Sequence, residues 1–401
     1  MKHRGLLWCG LAMGIMVVLL SSSLPGTWAQ TKDKGPIKVG AIFDLTGFLA
    51  PLGADSQQGA ILAFEKAGYK VGGRSIEFIR EDGASNTDTT LDKARKLVEA
   101  DKVCLTMGPI HSGAVLGMSG YLDRVKIPNL NIAYTPDALP LEHQTVWQVS
   151  GTLRQGTYAS GVYAYEKLGY RTATSLAQDY VAGREFIAGF VQAFEERGGK
   201  VIQQQWYPEG TTNFTSYLIN LKQADCFVPW FPGADAFAGF RQLKELGIKM
   251  PIIMPEDGGA TTSPPAMKEL GDSIVGMDVT ALYCYTLDTP GNKEFVEAYK
   301  KRWNGAIPGP MSGAAYATAQ VALEAIRKAG GDTSPQAISK ALAGVSLNTI
   351  RGPISFNKDR VAVFTCYIVK IGKDLVPRVV GQYVVKGEKA GKQIAVGLVK
   401  K

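Results

Sequence analysis

Three turns place hydroxyl, acidic and aromatic side chains directly after short apolar runs that have the composition of buried strands. They are Gly108-Pro109-Ile110-His111-Ser112, Ile132-Ala133-Tyr134-Thr135 and Pro255-Glu256-Asp257-Gly258-Gly259. In open α/β sheets, ligands bind in the crevice outside the carboxyl ends of the strands. A hydroxyl beside helix N–H groups suits a carboxylate, and an acidic side chain suits an ammonium. The three turns therefore predict a cleft for a small zwitterion.

The hydroxyl candidates are Ser112 and Thr135, and each has a structural alternative. Ser112 either bonds a ligand carboxylate or serves as an ordinary helix N-cap, and one residue can do both. Thr135 precedes Pro136 and is either a ligand contact or a turn residue. His111 and Tyr134 are secondary candidates, because a lone histidine more often has a structural role.

The acidic candidates are Glu256 and Asp257. Glu256 is the predicted partner of a ligand ammonium, since a loop ending in two glycines gives it no obvious helix to cap. The alternative is a solvated loop acid, because unpaired charges normally stay in water. Asp257 is the second choice for the same ammonium.

Aromatic residues end several apolar runs in the second half of the chain. Tyr180, Trp230 and Phe231 either line the pocket or pack in the core, and the Trp230-Phe231 pair stands where strand gives way to loop. Asp179, which precedes Tyr180, is predicted to cap the helix entered near Gly183.

The order of the elements predicts the α/β class. Apolar strand-like runs at 37–43, 75–80, 103–107 and 127–132 alternate with helical periodicity at 56–67 and 88–100. The pattern restarts after Gly151, with helices at 155–168 and 183–197 and strands at 172–177, 201–206, 225–231 and 251–254. Such a series forms a parallel sheet covered by helices on both faces. Two doubly wound, Rossmann-like lobes are therefore expected.

The last third of the chain predicts that the two lobes are joined by more than one crossing. A strand-like run at 279–285 is followed by helices at 292–303 and 312–329 and by a β-rich stretch at 352–385. We assign 36–151 and 280–351 to the first lobe and 152–279 and 352–401 to the second.

The first 29 residues are predicted to be a secretory signal peptide. Lys2 and Arg4 precede an apolar run at 6–20, and the segment Thr27-Trp28-Ala29 supplies the small residues of a cleavage site. We expect cleavage after Ala29 and a periplasmic location. Cys104, Cys226, Cys284 and Cys366 remain in the mature chain, and either buried thiols or disulfides fit this compartment.

Composition and motifs argue against an enzyme and against a nucleic-acid-binding protein. The 401-residue chain has a formal charge of +8, and loss of Lys2 and Arg4 reduces it to +6, without a basic stripe interleaved with aromatics. The sequence has no Gly-x-Ser-x-Gly elbow, phosphate-binding loop, dinucleotide fingerprint or His-Glu-x-x-His motif. No catalytic activity, metal or cofactor is predicted.

The motifs together resemble the type I periplasmic solute-binding proteins, and most closely the leucine/isoleucine/valine-binding group of branched-chain amino acid ABC transporters. The resemblance runs from Ile37-Lys38-Val39-Gly40 and Leu45-Thr46-Gly47 through Gly108-Pro109 with Ser112 and Ala133-Tyr134-Thr135-Pro136 to Asp179-Tyr180 before Gly183. It covers essentially the whole mature chain.

The resemblance implies a binding protein whose two lobes close over an amino acid and dock on a membrane permease. It implies that Ser112 bonds the ligand carboxylate, that Ala133 and Thr135 add backbone and hydroxyl contacts, and that Glu256 pairs with the ammonium. Two positions depart from the group: Leu52 and Ala182 stand where its members carry tyrosines. A larger or aromatic ligand side chain is therefore an open alternative, as is a receptor for aromatic carboxylates or short amides.

Overall fold

The structure of the chain is a computed structural model that describes residues 35–387 and 394–398. The predicted signal peptide lies outside these residues. Within the described part of the chain, no helix is long and apolar enough to cross a membrane.

The first sheet begins with a buried strand of seven residues, IKVGAIF, whose apolar run is typical of parallel sheets. Its strands are β1 (Ile37–Phe43), β2 (Lys70–Val71), β3 (Arg74–Asp82), β4 (Leu105–Met107), β5 (Asn129–Leu130) and β6 (Val146–Trp147). They lie in the order β2-β3-β1-β4-β5-β6, and every neighbouring pair except β2 and β3 is parallel. The connecting helices are α1 (Ala50–Lys66), α2 (Thr87–Arg95), α3 (Ser112–Val125) and α4 (Leu139–Glu142).

The second half of the chain repeats this arrangement. A parallel sheet in the order β8-β7-β9 is formed by β7 (Thr172–Gln178), β8 (Lys200–Tyr207) and β9 (Cys226–Trp230). Its helices are α5 (Leu153–Glu166), α6 (Val181–Glu195), α7 (Thr215–Leu218) and α8 (Asp235–Glu245). A parallel bridge between Phe227 and Ile252 joins this sheet to the strands that follow.

The remaining strands extend the second sheet with antiparallel pairs. They are β10 (Ile253–Met254), β11 (Asp278–Ala281), β12 (Ser346–Thr349), β13 (Gly352–Phe356), β14 (Ala362–Ile371), β15 (Pro377–Gly387) and β16 (Ile394–Leu398). Only β10 and β11 pair in parallel among them; β14 contacts β11, β13 and β15 in antiparallel register. The helices of this part are α9 (Pro264–Leu270), α10 (Asn292–Arg302), α11 (Pro310–Lys328) and α12 (Pro335–Ala343).

The chain returns from the second sheet to the first through α10 and α11. The Asp55 carboxylate in α1 accepts a hydrogen bond from the Ser312 N–H of α11 at 2.9 Å. Lys66 in α1 pairs with Glu294 of α10 at 2.9 Å. Strands β13 and β14 then lead back to the second sheet. The predicted α/β class with two doubly wound lobes and a multi-crossing hinge is confirmed, whereas the lobe boundaries remain a prediction.

Several predicted elements have other bounds in the structure, and for two of them the local hydrogen bonds give the reason. The strand expected over 279–285 stops at Ala281, because the chain turns and the Leu287 N–H donates to the Cys284 carbonyl. The helix expected over 88–100 changes to π-helical hydrogen bonding at Lys96, where the Asp101 N–H reaches the Lys96 carbonyl.

The four cysteines of the described chain are buried free thiols. Cys104, Cys226, Cys284 and Cys366 form no disulfide with one another. Burial raises the pKa of Cys104, Cys226 and Cys366 to about 12, so these thiols stay protonated and unreactive at neutral pH.

Candidate ligand-binding site

A pocket that encloses about 620 Å³ of empty space, including the part open to solvent, lies between the strand-end loops of the two sheets. Its lining combines apolar, aromatic and a few polar groups, as is usual for small-molecule sites. The lining residues are Phe48, Leu49, Leu52, Ile110, His111, Ser112, Ala133, Tyr134, Leu153, Tyr180, Ala182, Phe186, Trp230, Pro232, Glu256, Gly258, Gly259 and Met311.

Most of the site residues predicted from sequence meet in this pocket, although they come from three separate loops and two strand ends. Those in the lining are Ser112, Ala133, Tyr134, Tyr180, Trp230 and Glu256. The two departures from the family pattern, Leu52 and Ala182, line it as well.

Three predicted site residues lie behind the lining. Thr135 is fully buried and forms a parallel bridge with Thr152. Phe231 is fully buried and packs among other aromatic rings of the second lobe. The Asp257 carboxylate accepts hydrogen bonds from the Gly259 N–H and a threonine hydroxyl, both at 2.8 Å, and so holds its own loop. Direct ligand contact by these three residues stays a prediction.

Ser112 stands at the first position of α3, and the loop before it is held by a buried acid. The Asp44 carboxylate, at the end of β1, accepts hydrogen bonds from the N–H groups of Ile110 at 3.0 Å and His111 at 3.2 Å. Within the described residues, the N–H groups of Ser112 and Gly113 have no acceptor. The first turn of α3 therefore offers two N–H groups and a hydroxyl to an anion in the pocket.

Glu256 is the acid of the pocket wall. Only 7% of the residue is exposed. Its Oε2 atom accepts hydrogen bonds from the Trp230 indole N–H at 3.2 Å and from the Gly258 N–H at 2.8 Å. Burial, and next the negative charge of Asp257, raise the pKa of Glu256 well above its usual range. Burial therefore favours the protonated form of this carboxyl, whereas a positive charge placed beside it would favour the ionised form.

Aromatic rings form one continuous wall of the pocket. Tyr180 and Trp230 have ring centroids 5.7 Å apart, Phe186 lies 5.1 Å from Trp230, and Tyr134 lies 5.6 Å from Phe186. On the first lobe, Phe48 is 60% exposed at the pocket. This surface suits a flat or bulky apolar group.

Several pocket residues escaped the sequence analysis. Phe48 follows the carboxyl end of β1, and this position is the signal that identified the other loops. Phe186 belongs to an apolar helical stripe that reads as core. Leu153 and Met311 begin α5 and α11, and only the tertiary fold brings those helix starts to the pocket.

In both helices that begin at this site, the N-cap residue is a direct sequence neighbour of the residue predicted to be the cap. His111, not Ser112, occupies the N-cap position of α3. Tyr180 is the N-cap of α6, and the prediction that Asp179 caps this helix is wrong. Asp179 instead pairs with Arg184 at 2.6 Å, because the helix already begins at the residue after Tyr180.

A sequence profile of the periplasmic binding protein family matches residues 36–374. The chain belongs to this family. This periplasmic binding protein is 27% identical over 333 residues to the Leu/Ile/Val-binding protein homolog 7 of Brucella abortus (strain 2308), with 78% of this chain and 82% of the relative covered.

Solved structures show the same fold for this periplasmic binding protein. An ABC transporter substrate-binding protein from Sphaerobacter thermophilus is 29% identical, with a TM-score of 0.82, and the match covers 87% of this chain and 98% of that one. A solute-binding protein of an ABC transporter from Rhodopseudomonas palustris BisB5, solved in complex with 3,4-dihydroxybenzoic acid, is 26% identical, with a TM-score of 0.80. That match covers 89% of this chain and 99% of the other.

The resemblance stated from sequence, to type I periplasmic solute-binding proteins of the leucine/isoleucine/valine-binding group, is confirmed. The protein is a substrate-binding protein of the ABC-transporter type. Proteins of this family bind solutes and are not enzymes.

Proposed function

We propose that this protein captures an amino acid with a large apolar or aromatic side chain in the periplasm. It then delivers this ligand to the membrane permease subunits of an ABC importer. Membership of the periplasmic binding protein family and the signal peptide predicted to end at Ala29 support export. The two lobes are proposed to comprise 36–151 with 280–351 and 152–279 with 352–401.

The observation that carries this proposal is the buried carboxyl of Glu256 in an otherwise apolar and aromatic wall. A buried acid is costly unless a partner offsets its desolvation. In the described residues it has no basic side chain bonded to it, and its hydrogen-bond donors are the neutral N–H groups of Trp230 and Gly258. A ligand ammonium would supply the missing positive charge.

The rest of the ligand follows from the other groups of the pocket. The ligand carboxylate would accept hydrogen bonds from Ser112 and from the first N–H groups of α3. Its side chain would lie on the wall of Tyr180, Trp230 and Phe186. Because these groups belong to different lobes, a ligand that touches all of them stabilises the closed arrangement over the open one.

A second candidate is an aromatic carboxylate without an ammonium group. It is favoured by the continuous aromatic wall and by the relative solved with 3,4-dihydroxybenzoic acid. In this case Glu256 would keep its proton and bond a phenolic hydroxyl. The carboxylate would occupy the same place beside Ser112.

A thermal-shift screen of the mature chain separates the two candidates. The protein is unfolded, dialysed and refolded to remove carried-over ligand, then melted with L-leucine, L-phenylalanine, their N-acetyl forms, benzoate and 4-hydroxybenzoate. A ligand at about 100 times its Kd adds about 2.7 kcal/mol to the free energy of unfolding. Shifts with free amino acids and none with N-acetyl forms support the proposal. Shifts with the benzoates alone replace it by the second candidate.

Replacing Ser112 by alanine is expected to cost about 1.5–3 kcal/mol of binding free energy, or roughly 10- to 150-fold in Kd. The reason is the loss of a hydroxyl donor to a charged carboxylate. Calorimetric titration with the ligand that gives the largest shift measures the effect. Ser119→Ala is the matched control in the same helix, since the Ser119 hydroxyl is buried outside the pocket lining and donates to the Val115 carbonyl at 2.6 Å. Equal Kd values for the wild type and Ser112→Ala would leave Ser112 a structural role only.

A further inference from the structure

Leu52 and Gly259 touch each other across the pocket. Leu52 lies in the first turn of α1 on the first lobe, and Gly259 lies in the loop after β10 on the second. A Cβ atom added to Gly259 would stand 2.4 Å from Leu52 Cδ2 and 3.0 Å from Cδ1. The leucine side chain therefore packs directly on the glycine backbone, and any larger residue at 259 would collide with it.

Both partners are held firmly in place. The Gly259 N–H donates to the Asp257 carboxylate at 2.8 Å, and its φ of +75° favours glycine. On the other side, a Cβ atom at Gly53 would stand 1.9 Å from the Asp44 carbonyl oxygen, so the first turn of α1 lies hard against the end of β1. The contact thus joins two anchored backbone segments through the Leu52 side chain.

We propose that Leu52 and Gly259 form a closure contact, in which the leucine covers the loop that carries Glu256 and Asp257 and holds the two lobes together around the ligand. The inference rests on the proposed function only for the identity of the ligand. The opening and closing of the two lobes do not depend on that identity. Opening the lobes separates the pair and admits water to the acid loop. Closing them brings leucine over glycine and removes that water.

The contact also explains why leucine at position 52 fits against the loop that carries Glu256 and Asp257: this loop has glycine, without a β-carbon, at position 259. The Leu52 methyl groups occupy the space next to Gly259 in which a β-carbon would otherwise lie. Shape complementarity of this kind is lost when atoms are added on one side and restored when they are removed from the other. The pair is therefore suited to a test by double substitution.

The test measures lobe separation in the mature protein saturated with L-leucine or 4-hydroxybenzoate, because the pair touches in the closed arrangement that a ligand stabilises. Spin labels are attached through Asp92→Cys in α2 and Glu245→Cys in α8, both exposed, while the native thiols are buried and stay unlabelled. Pulsed electron resonance then gives the distance distribution between the labels. Gly259→Ala is expected to shift it to longer distances, and adding Leu52→Ala to that variant is expected to restore the shorter ones.

Gly247→Ala is the matched control, because Gly247 also has a positive φ of +65° but no atom within 4 Å of an added Cβ. The Gly247→Ala variant therefore shows the effect of backbone strain from alanine at a positive φ, without any collision of the added β-carbon. An unchanged distance distribution in Gly259→Ala would overturn the closure contact. So would a change in Gly247→Ala as large as in Gly259→Ala.

Affinity provides a second measurement with L-leucine and 4-hydroxybenzoate as probes. Gly259→Ala is expected to weaken the binding of either probe roughly 5- to 150-fold, with recovery in the double variant. If the distances change as expected but L-leucine does not bind the wild type, the closure contact stands and the amino-acid assignment fails. If L-leucine binds wild type and Gly259→Ala equally well, the assignment stands and the closure contact is wrong.

Discussion

Replacing Glu256 by glutamine is expected to weaken the binding of L-leucine or L-phenylalanine by about 30-fold or more. Truncating one partner of a buried charged pair typically costs about 2–5 kcal/mol. The amide keeps the size of the side chain, and its oxygen still accepts from the Trp230 and Gly258 N–H groups. What is lost is the negative charge that would face the ligand ammonium. Calorimetric titration of both proteins measures the difference in Kd.

The folded state of Glu256→Gln is expected to be as stable as the wild type at neutral pH, or more so. Burial raises the pKa of Glu256 in the folded protein, so the folded state holds this proton more tightly than the unfolded chain does. The free energy of unfolding therefore falls as the pH rises from the usual glutamate pKa through the raised value. Glutamine does not titrate, so this decrease in stability with pH is absent from the variant. Glu185→Gln is the matched control for ligand binding: burial also raises the pKa of Glu185, to about 7, but this acid lies outside the pocket lining, so its replacement is expected to leave the Kd unchanged.

Two outcomes would contradict the role given to Glu256. Unchanged Kd values for free amino acids in Glu256→Gln would remove the ammonium pairing. A benzoate that binds the wild type and Glu256→Gln equally, while free amino acids bind neither, would favour the aromatic carboxylate. In that case a neutral side chain at 256 is sufficient, and Trp230 becomes the residue to substitute.

The affinity for an amino acid is expected to rise with pH, by up to about tenfold per pH unit, below the raised pKa of Glu256. Below that pKa the carboxyl of Glu256 is protonated before binding, and it must lose the proton to pair with an ammonium. Asp257, Tyr134 and Tyr180 also interact electrostatically with Glu256, and His111 lines the same pocket. Titration from about pH 6 to about pH 8, in buffers that differ in ionisation enthalpy, measures both the slope and the protons released.

The Glu256→Gln variant supplies the control for this pH dependence. It should lose the slope and the proton release. Arg351, a buried guanidinium that interacts with Tyr134, stays charged across this range and adds no slope. A pH-independent Kd in the wild type would show that Glu256 does not change its protonation state on binding. An aromatic carboxylate that keeps this proton in place is expected to give that flat profile.

Much of the site was predictable because it stands at the ends of strands. The apolar run 37–43 coincides with β1, and Ser112, Ala133 and Glu256 follow β4, β5 and β10 into the pocket. Parallel strands place their carboxyl ends at one edge, so residues distant in sequence converge without further information. Trp230 was found for the same reason, as the last residue of β9.

The sequence by itself determined the class of fold, because strand and helix periodicities alternate in local windows, and it determined the polar groups that the strand-end loops carry. Only the tertiary structure decided which of them face the pocket. Trp230 and Phe231 are neighbours in sequence, but their side chains point in opposite directions. Trp230 lines the pocket, whereas Phe231 lies in the core. The crossings between lobes likewise brought Met311 to the pocket and Leu52 onto Gly259. Such contacts join residues that are far apart in the chain, and no local pattern encodes them.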